Sequence, residues 1–338
     1  MKSLSVLLPT ALLCTFVLCQ CHADENAQKT AKQKANSAQT DPTKAKKNEI
    51  PPPTATIESI SYGSHPKQVL TFWKAESPRP TPLLFYIHGG GWQGGNRMAG
   101  MAGYVPAMNK AGISVVSIEY RFIEDAIADG VVPPVKACLH DAARALQFTR
   151  SKAREWNIDT TKIAAAGGSA GACSSLWLAF HDDLADPNSS DPVARESSRL
   201  ICAAVSGAQT TLDPKQMQHW IPNSSYGSHA FGIFKNTDGK RQRDFELFLA
   251  KREEIMPWIQ EYSPFHLVSK DDPPVYLFYN NSPAKGKITK DPTHSANFGI
   301  LLREKLDDAG VPCELSYPGA PDSTHKTVVA YLIAELQK

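Results

Sequence analysis

The sequence is nearly free of net charge: its 338 residues carry 36 Lys and Arg against 34 Asp and Glu, a balance of +2. No electrostatic case arises for nucleic acid or a membrane surface as partner. The chain has no Cys-x-x-Cys and no His-x-x-x-His, the spacings that would announce a metal site. It shows no internal repeat. Nor does it hold an apolar run of the roughly 20 residues that a bilayer-spanning helix needs; the longest, Leu4 to Leu18, is interrupted by Pro9 and small polar residues.

That run follows Lys2 and leads to Cys21-His22-Ala23, the pattern of a cleavable signal peptide over residues 1–23, so an exported protein with no membrane span after signal removal is expected. Acylation of Cys21 would anchor the chain to lipid, but Gln20 before it is bulkier than the residue such sites take. Residues 24–53 are Lys, Gln, Thr, Asn, Ala and Pro with hardly an apolar side chain, ending in Pro51-Pro52-Pro53. This is the composition of a disordered linker. The domain proper is then 54–338, and its 42% hydrophobic content is enough for a sizeable core. Cys138, Cys173, Cys202 and Cys313 fall within it. Export permits up to two disulfides, while their apolar surroundings suit buried free thiols equally.

What is present is a pair of glycine motifs. Gly167-Gly168-Ser169-Ala170-Gly171 follows the apolar stretch Lys162–Ala166 and precedes good helix formers up to Phe180. Gly-x-Ser-x-Gly between a strand and a helix mounts a nucleophilic serine on a sharp turn where only small neighbours fit. His88-Gly89-Gly90-Gly91-Trp92 follows Leu83–Ile87, which reads as a buried strand. Consecutive glycines are conformationally costly and occur where backbone must come close to something. An acyl-transfer site needs free amides aimed at a developing oxyanion, one from such a loop and one from the residue after the nucleophile. Gly90 or Gly91, together with Ala170, fill those places.

On these motifs, and on Glu119-Tyr120-Arg121, the Asp159–Gly171 approach to the elbow, Asp291 and His325, the chain over about residues 54–338 resembles the α/β-hydrolase superfamily. It is similar to carboxylesterases of the hormone-sensitive-lipase-like and bacterial feruloyl and acetyl esterase types. The resemblance implies a Ser-His-Asp mechanism without a cofactor, acting on a small-molecule or polysaccharide-linked ester.

The coarse pattern agrees with an α/β fold: an eight-stranded, mostly parallel sheet with helices on both faces. Strands are expected near 57–62, 68–72, 83–87, 113–118, 162–166, 200–205, 275–279 and 313–317, and helices near 98–110, 134–156, 170–181, 296–309 and 325–337. One stretch breaks the alternation. The cap-like insert at about 208–267 is rich in aromatics, Trp220, Tyr226, Phe231, Phe234, Phe245, Phe248, Trp258 and Tyr262. A long insertion at the functional edge is commonly a cap or pocket wall, so one or two of these rings are expected to line the pocket.

Ser169 needs a base, and the base needs a carboxylate to fix its tautomer. Chain order in this fold runs Ser, acid, His, which leaves His294 and His325 among ten histidines. His325 follows the strand near 313–317 by a short loop and is the expected base. Asp291, in the polar loop after the strand near 275–279, is the expected acid. His88, Arg121 and Asp141 are read as structural braces. The expected catalytic set is therefore Ser169, Asp291 and His325, with Gly90, Gly91 and Ala170 as the oxyanion hole. A serine peptidase of the prolyl-oligopeptidase-like type and a non-catalytic binding protein on a hydrolase scaffold are the alternatives.

Overall fold

Apolar residues run unbroken through Leu83–Ile87 and Ile163–Ala166, and only the small Ser114 and Ser117 interrupt Ile113–Ile118, as suits strands covered on both faces. In the computed structural model all three runs lie inside one sheet. The structure describes residues 51–321 and 323–338. The proposed leader 1–23 and linker residues 24–50 lie outside the described residues.

The sheet has eight strands: β1 (Ile57–Ser61), β2 (Val69–Trp73), β3 (Thr81–Ile87), β4 (Ser114–Ile118), β5 (Ile158–Gly168), β6 (Cys202–Ser206), β9 (Val275–Phe278) and β10 (Cys313–Ser316), in the order β1-β2-β4-β3-β5-β6-β9-β10. A separate hairpin, β7 (Phe234–Thr237) with β8 (Lys240–Arg243), stands in the insert. β2 runs antiparallel to both β1 and β4, and every pairing from β4 onward is parallel. All eight expected strands are present. The carboxyl ends of the parallel strands therefore share one edge, where sites form in such sheets.

The longer helices are α1 (Met101–Lys110), α2 (Val135–Ser151), α3 (Ala170–Phe180), α4 (Asn297–Ala309) and α5 (Val328–Leu336). α2, α3 and α4 belong to the larger apolar cluster on one side, and α1 and α5 to the smaller cluster on the other. α3 is buried along its whole length, which its near-continuous apolar and small residues allow. It passes close over β5, whose Ala165 and Gly167 offer little bulk against it. Cys138, Cys173, Cys202 and Cys313 are free thiols. No helix among the described residues is long and apolar enough to cross a membrane.

The insert is built from short helices around the hairpin. Asp213 is fully buried there, caps the helix Pro214–Trp220 through the amides of Lys215 and Gln216, and receives Arg252 Nε and Nη2 at 2.8 and 2.7 Å. The insert's rings pack largely on one another and on the main core: Phe231 on Phe248 and Trp258, Phe245 on Phe248, Trp220 on Phe265 and Phe298.

Candidate active site

β5 ends in the two glycines of the elbow and α3 begins at once, so Ser169 must turn the chain within a single residue. It does so at φ 54° and ψ −122°, in the left-handed half of backbone space where a residue with a side chain is strained. The flanking glycines are required by close approach. A Cβ on Gly167 would lie 2.6 Å from the Ile87 carbonyl oxygen, and one on Gly171 would run into that same oxygen and 2.6 Å from that of His88. The first-turn amides of α3 have no intrahelical acceptor, and the positive end of the helix dipole points at the serine.

The glycine loop after β3 is pressed against this turn. A Cβ on Gly89 would meet the Gly168 carbonyl oxygen at 2.6 Å and Ser169 Cβ at 3.3 Å. His88 braces the loop as expected: its Nδ1 is 2.7 Å from the Gly89 oxygen, its Nε2 2.9 Å from Glu119 Oε1, and its ring stacks on Tyr120. Arg121 and Asp141 also hold structure. The guanidinium meets buried Asp141 through Nε at 2.9 Å and Nη2 at 2.7 Å, pinning the turn after β4.

The histidine beside Ser169 is His294, whose Nε2 lies 2.9 Å from the serine Oγ. Its Nδ1 lies 2.9 Å from Asp291 Oδ2. Asp291 Oδ1 accepts the backbone amides of Thr293 and His294, each at 3.2 Å, so one carboxylate shapes the turn and orients the ring. Burial alone would raise the Asp291 pKa, but the His294 ring and these two amides hold it below the usual carboxylate value. The turn is fixed from below by Asn281, which donates Nδ2 to the His294 carbonyl and accepts the Ala296 amide, both at 2.9 Å. Gln209 Nε2 adds a bond to the Thr293 carbonyl at 2.7 Å. Gly207, at φ +59°, lets the imidazole settle: a Cβ there would be 3.3 Å from the His294 ring.

His325 is elsewhere, and the expectation that it is the base is corrected here. Its Nδ1 lies 2.8 Å from Glu314 Oε1 and its amide donates to Glu314 Oε2 at 3.0 Å. The ring stands edge-on to Tyr331, a residue of the α5 side of the sheet, while its carbonyl accepts from Tyr276 and Ser323. Glu314 of β10 and Tyr331 of α5 thus hold the side chain away from the nucleophile. Asp291, the expected acid, meets His294 and not His325. The available signals for His294 were its spacing three residues after Asp291 and the length of the loop after β9, enough for one loop to carry both groups to Ser169.

A cavity of about 370 Å³ opens at Ser169, lined by Gly89, Gly168, Ser206, Gly207, Asn280, Asn281, Asp291 and His294. A second, of about 500 Å³, shares Asn280, Asn281 and Asp291 with it and continues past Ser282, Ile288, Thr289 and Lys290. None of the insert's aromatic rings lines the cavity at the serine, contrary to expectation. Phe231 and Phe234 instead border a separate cavity of about 420 Å³ with Val131, Val132 and Arg241. The insert reaches the site from behind, through the glycine loop. A Cβ on Gly91 would lie 3.2 Å from Arg243 Nη2 and 3.9 Å from both His229 Nε2 and the Tyr226 hydroxyl.

A serine on a strained turn with an oriented imidazole on its hydroxyl has the parts that acyl transfer requires, and a sequence profile bears on the kinship. That of BD-FAE matches residues 71–284, from β2 into the loop after β9. The chain belongs to the BD-FAE family. Within it, the chain is a carboxylic ester hydrolase with the α/β-hydrolase fold. It is similar to the versiconal hemiacetal acetate esterase of Dothistroma septosporum, 25% identical over 283 residues, covering 80% of this chain and 75% of that one. Among solved structures it resembles a truncated carbohydrate esterase from gut microbiota (TM-score 0.63, 19% identity, 86% of this chain and 100% of that one). It also resembles the acetyl ester-xyloside bifunctional hydrolase of Caldicellulosiruptor lactoaceticus (TM-score 0.57, 21% identity, 84% and 91% covered). At these identities the two structures speak for the fold.

Proposed function

We propose that this BD-FAE member hydrolyses short acyl esters, acetyl above all, carried on a polysaccharide or its fragments, through an acyl-enzyme on Ser169. The observation that carries the reading is the unbroken chain of contacts from Ser169 Oγ to His294 Nε2 and from His294 Nδ1 to Asp291, each 2.9 Å. His294 removes the hydroxyl proton as the oxygen attacks the acyl carbon. Asp291 fixes the ring with its proton on Nδ1 and stabilises the imidazolium that forms. The amides of Gly90, Gly91 and Ala170 receive the oxyanion. His294 then protonates the departing alcohol, and a water activated by the same ring releases the acid.

Two features support the substrate class. The cavity at the serine is lined by glycine, serine, asparagine and the triad side chains, which suits a small acyl group better than an aromatic one. The adjoining groove offers amide, hydroxyl and ammonium groups beside the exposed Ile288, a surface suited to a hydroxyl-rich alcohol. The names of the acetate esterase and the acetyl ester-xyloside hydrolase point the same way. Export rests on the leader pattern of residues 1–23, and N-terminal sequencing of the mature protein tests it.

The decisive experiment is a panel of p-nitrophenyl esters of increasing chain length beside acetylated and feruloylated xylo-oligosaccharides. The reading expects acetyl esters to give the highest kcat/KM and the sugar acetate to be deacetylated. Preference for octanoate, or for the feruloyl ester, would overturn the substrate class while leaving the mechanism standing.

A further inference from the structure

The carbonyls of Gly89, Gly90, Gly91 and Trp92 each have a donor. Gly89 is met by His88 Nδ1 at 2.7 Å, Gly90 by the Gln93 amide at 3.0 Å, and Trp92 by the Ile123 amide at 2.8 Å. These three donors come from the loop itself and from the chain just after β4. The fourth comes from the insert: His229 Nε2 lies 3.1 Å from the Gly91 carbonyl oxygen.

His229 is wholly buried between the rings of Trp92 and Tyr226. Its Nδ1 has no partner, and neither does the Tyr226 hydroxyl beside it. Burying an imidazole with a single polar bond is unfavourable, and a hydrocarbon side chain would pack among these rings without that cost. The one bond it makes is to the oxyanion loop. Burial first, then the Arg243 guanidinium, push its pKa down to about 3, so the ring is neutral at working pH. A neutral imidazole that donates from Nε2 is fixed in one tautomer.

A peptide carbonyl and the amide on its own plane turn together, and the neighbouring planes follow through φ and ψ. Gly90, Gly91 and Trp92 all lie at positive φ, 112°, 63° and 55°, a conformation with little preference of its own to hold it in glycine. We infer that His229 is a positioning residue for ester hydrolysis, reaching from the insert to hold the Gly91 carbonyl and so to aim the loop's amides at the oxyanion. The insert thereby acts on the transition state common to all substrates. This inference rests on the acyl-enzyme reading above.

The test compares the wild-type chain with His229→Asn, too short to reach Gly91, and His229→Gln, whose carboxamide can still donate. Active sites are counted by end-point titration with a p-nitrophenyl phosphonate, so that any unfolded fraction drops out. Per titrated serine, His229→Asn is expected to lose about tenfold to hundredfold in kcat. The loss falls alike on p-nitrophenyl acetate and on an acetylated xylo-oligosaccharide, with KM little changed. Affinity for a trifluoromethyl ketone, whose adduct places an oxyanion in the hole, falls by the same factor, and His229→Gln recovers most of both losses. A kcat per titrated serine unchanged in His229→Asn, or equal losses in the Asn and Gln variants, overturns the inference. A wild-type chain that neither turns over esters nor reacts with the phosphonate refutes the acyl-enzyme reading itself.

Discussion

Two histidine–carboxylate pairs stand beside the last two strands, one in the loop after β9 and one with its carboxylate on β10 itself, and their local geometry is almost the same. His294 meets Asp291 at 2.9 Å and His325 meets Glu314 at 2.8 Å, in both cases through Nδ1, and in both cases the same carboxylate also accepts the histidine's own amide. The difference lies at the other nitrogen. His294 Nε2 reaches Ser169, whereas the His325 ring abuts Tyr331 beneath α5. An oriented imidazole is thus a common structural device, and a nucleophile within reach is what turns one into a base.

The sharpest way to break this comparison is to remove the serine and each histidine in turn. Ser169→Ala and His294→Ala are expected to lose about 10⁴ to 10⁶ in kcat on every ester, since triad members act as a unit. Steady-state kinetics on purified, folded protein checks both. Should His325→Ala match that loss while His294→Ala stays active, the assignment is reversed. Asp291→Asn leaves the turn formed but no longer enforces the reactive tautomer, and is expected to cost between about 10² and 10⁴ in kcat. Asn281→Ala frees the His294 carbonyl and the Ala296 amide, letting the turn shift by a fraction of an ångström. A loss of about tenfold in kcat with KM unchanged is expected, and loss in KM alone would instead mark Asn281 as a substrate contact. His325→Ala is the smallest in activity. Its kcat should stay within about twofold, while the broken pair with Glu314 lowers stability by about 1–2 kcal/mol, read as a fall in Tm.

Much of this was legible in the chain. The eight strands followed from apolar runs bounded by turn residues, and the elbow and the His-Gly-Gly-Gly loop followed from glycine spacing, because a left-handed φ and a backbone approach below van der Waals distance leave few alternatives. The carboxylate that meets His294 was legible too, being that of the polar loop after β9. The base was not. His325 occupies the place where chain order and loop length put it, and only the fold shows that Glu314 and Tyr331 have taken it. The placement of His294 rests on Gly207 against its ring and Asn281 on its backbone carbonyl, residues far apart in sequence. The expectation that one or two of the insert's rings would line the pocket failed for a related reason. Composition marks rings for burial but not against what, and Phe231, Phe248 and Trp258 bury one another.

Asp291 and His294 share a single turn, with Asp291 accepting the amides of the residues two and three positions later. Under the proposed mechanism the acid and base therefore travel as one cassette, detachable from the nucleophile without being parted from each other. Warming that loosens this surface loop before the sheet melts leaves the carboxylate–imidazole bond whole and the serine stranded. Turnover is then expected to fade some degrees below the unfolding transition seen by circular dichroism, and to return on cooling. Cross-linking the 291–296 turn to the strand beneath it would raise the temperature at which activity fades and leave the unfolding of the sheet where it was.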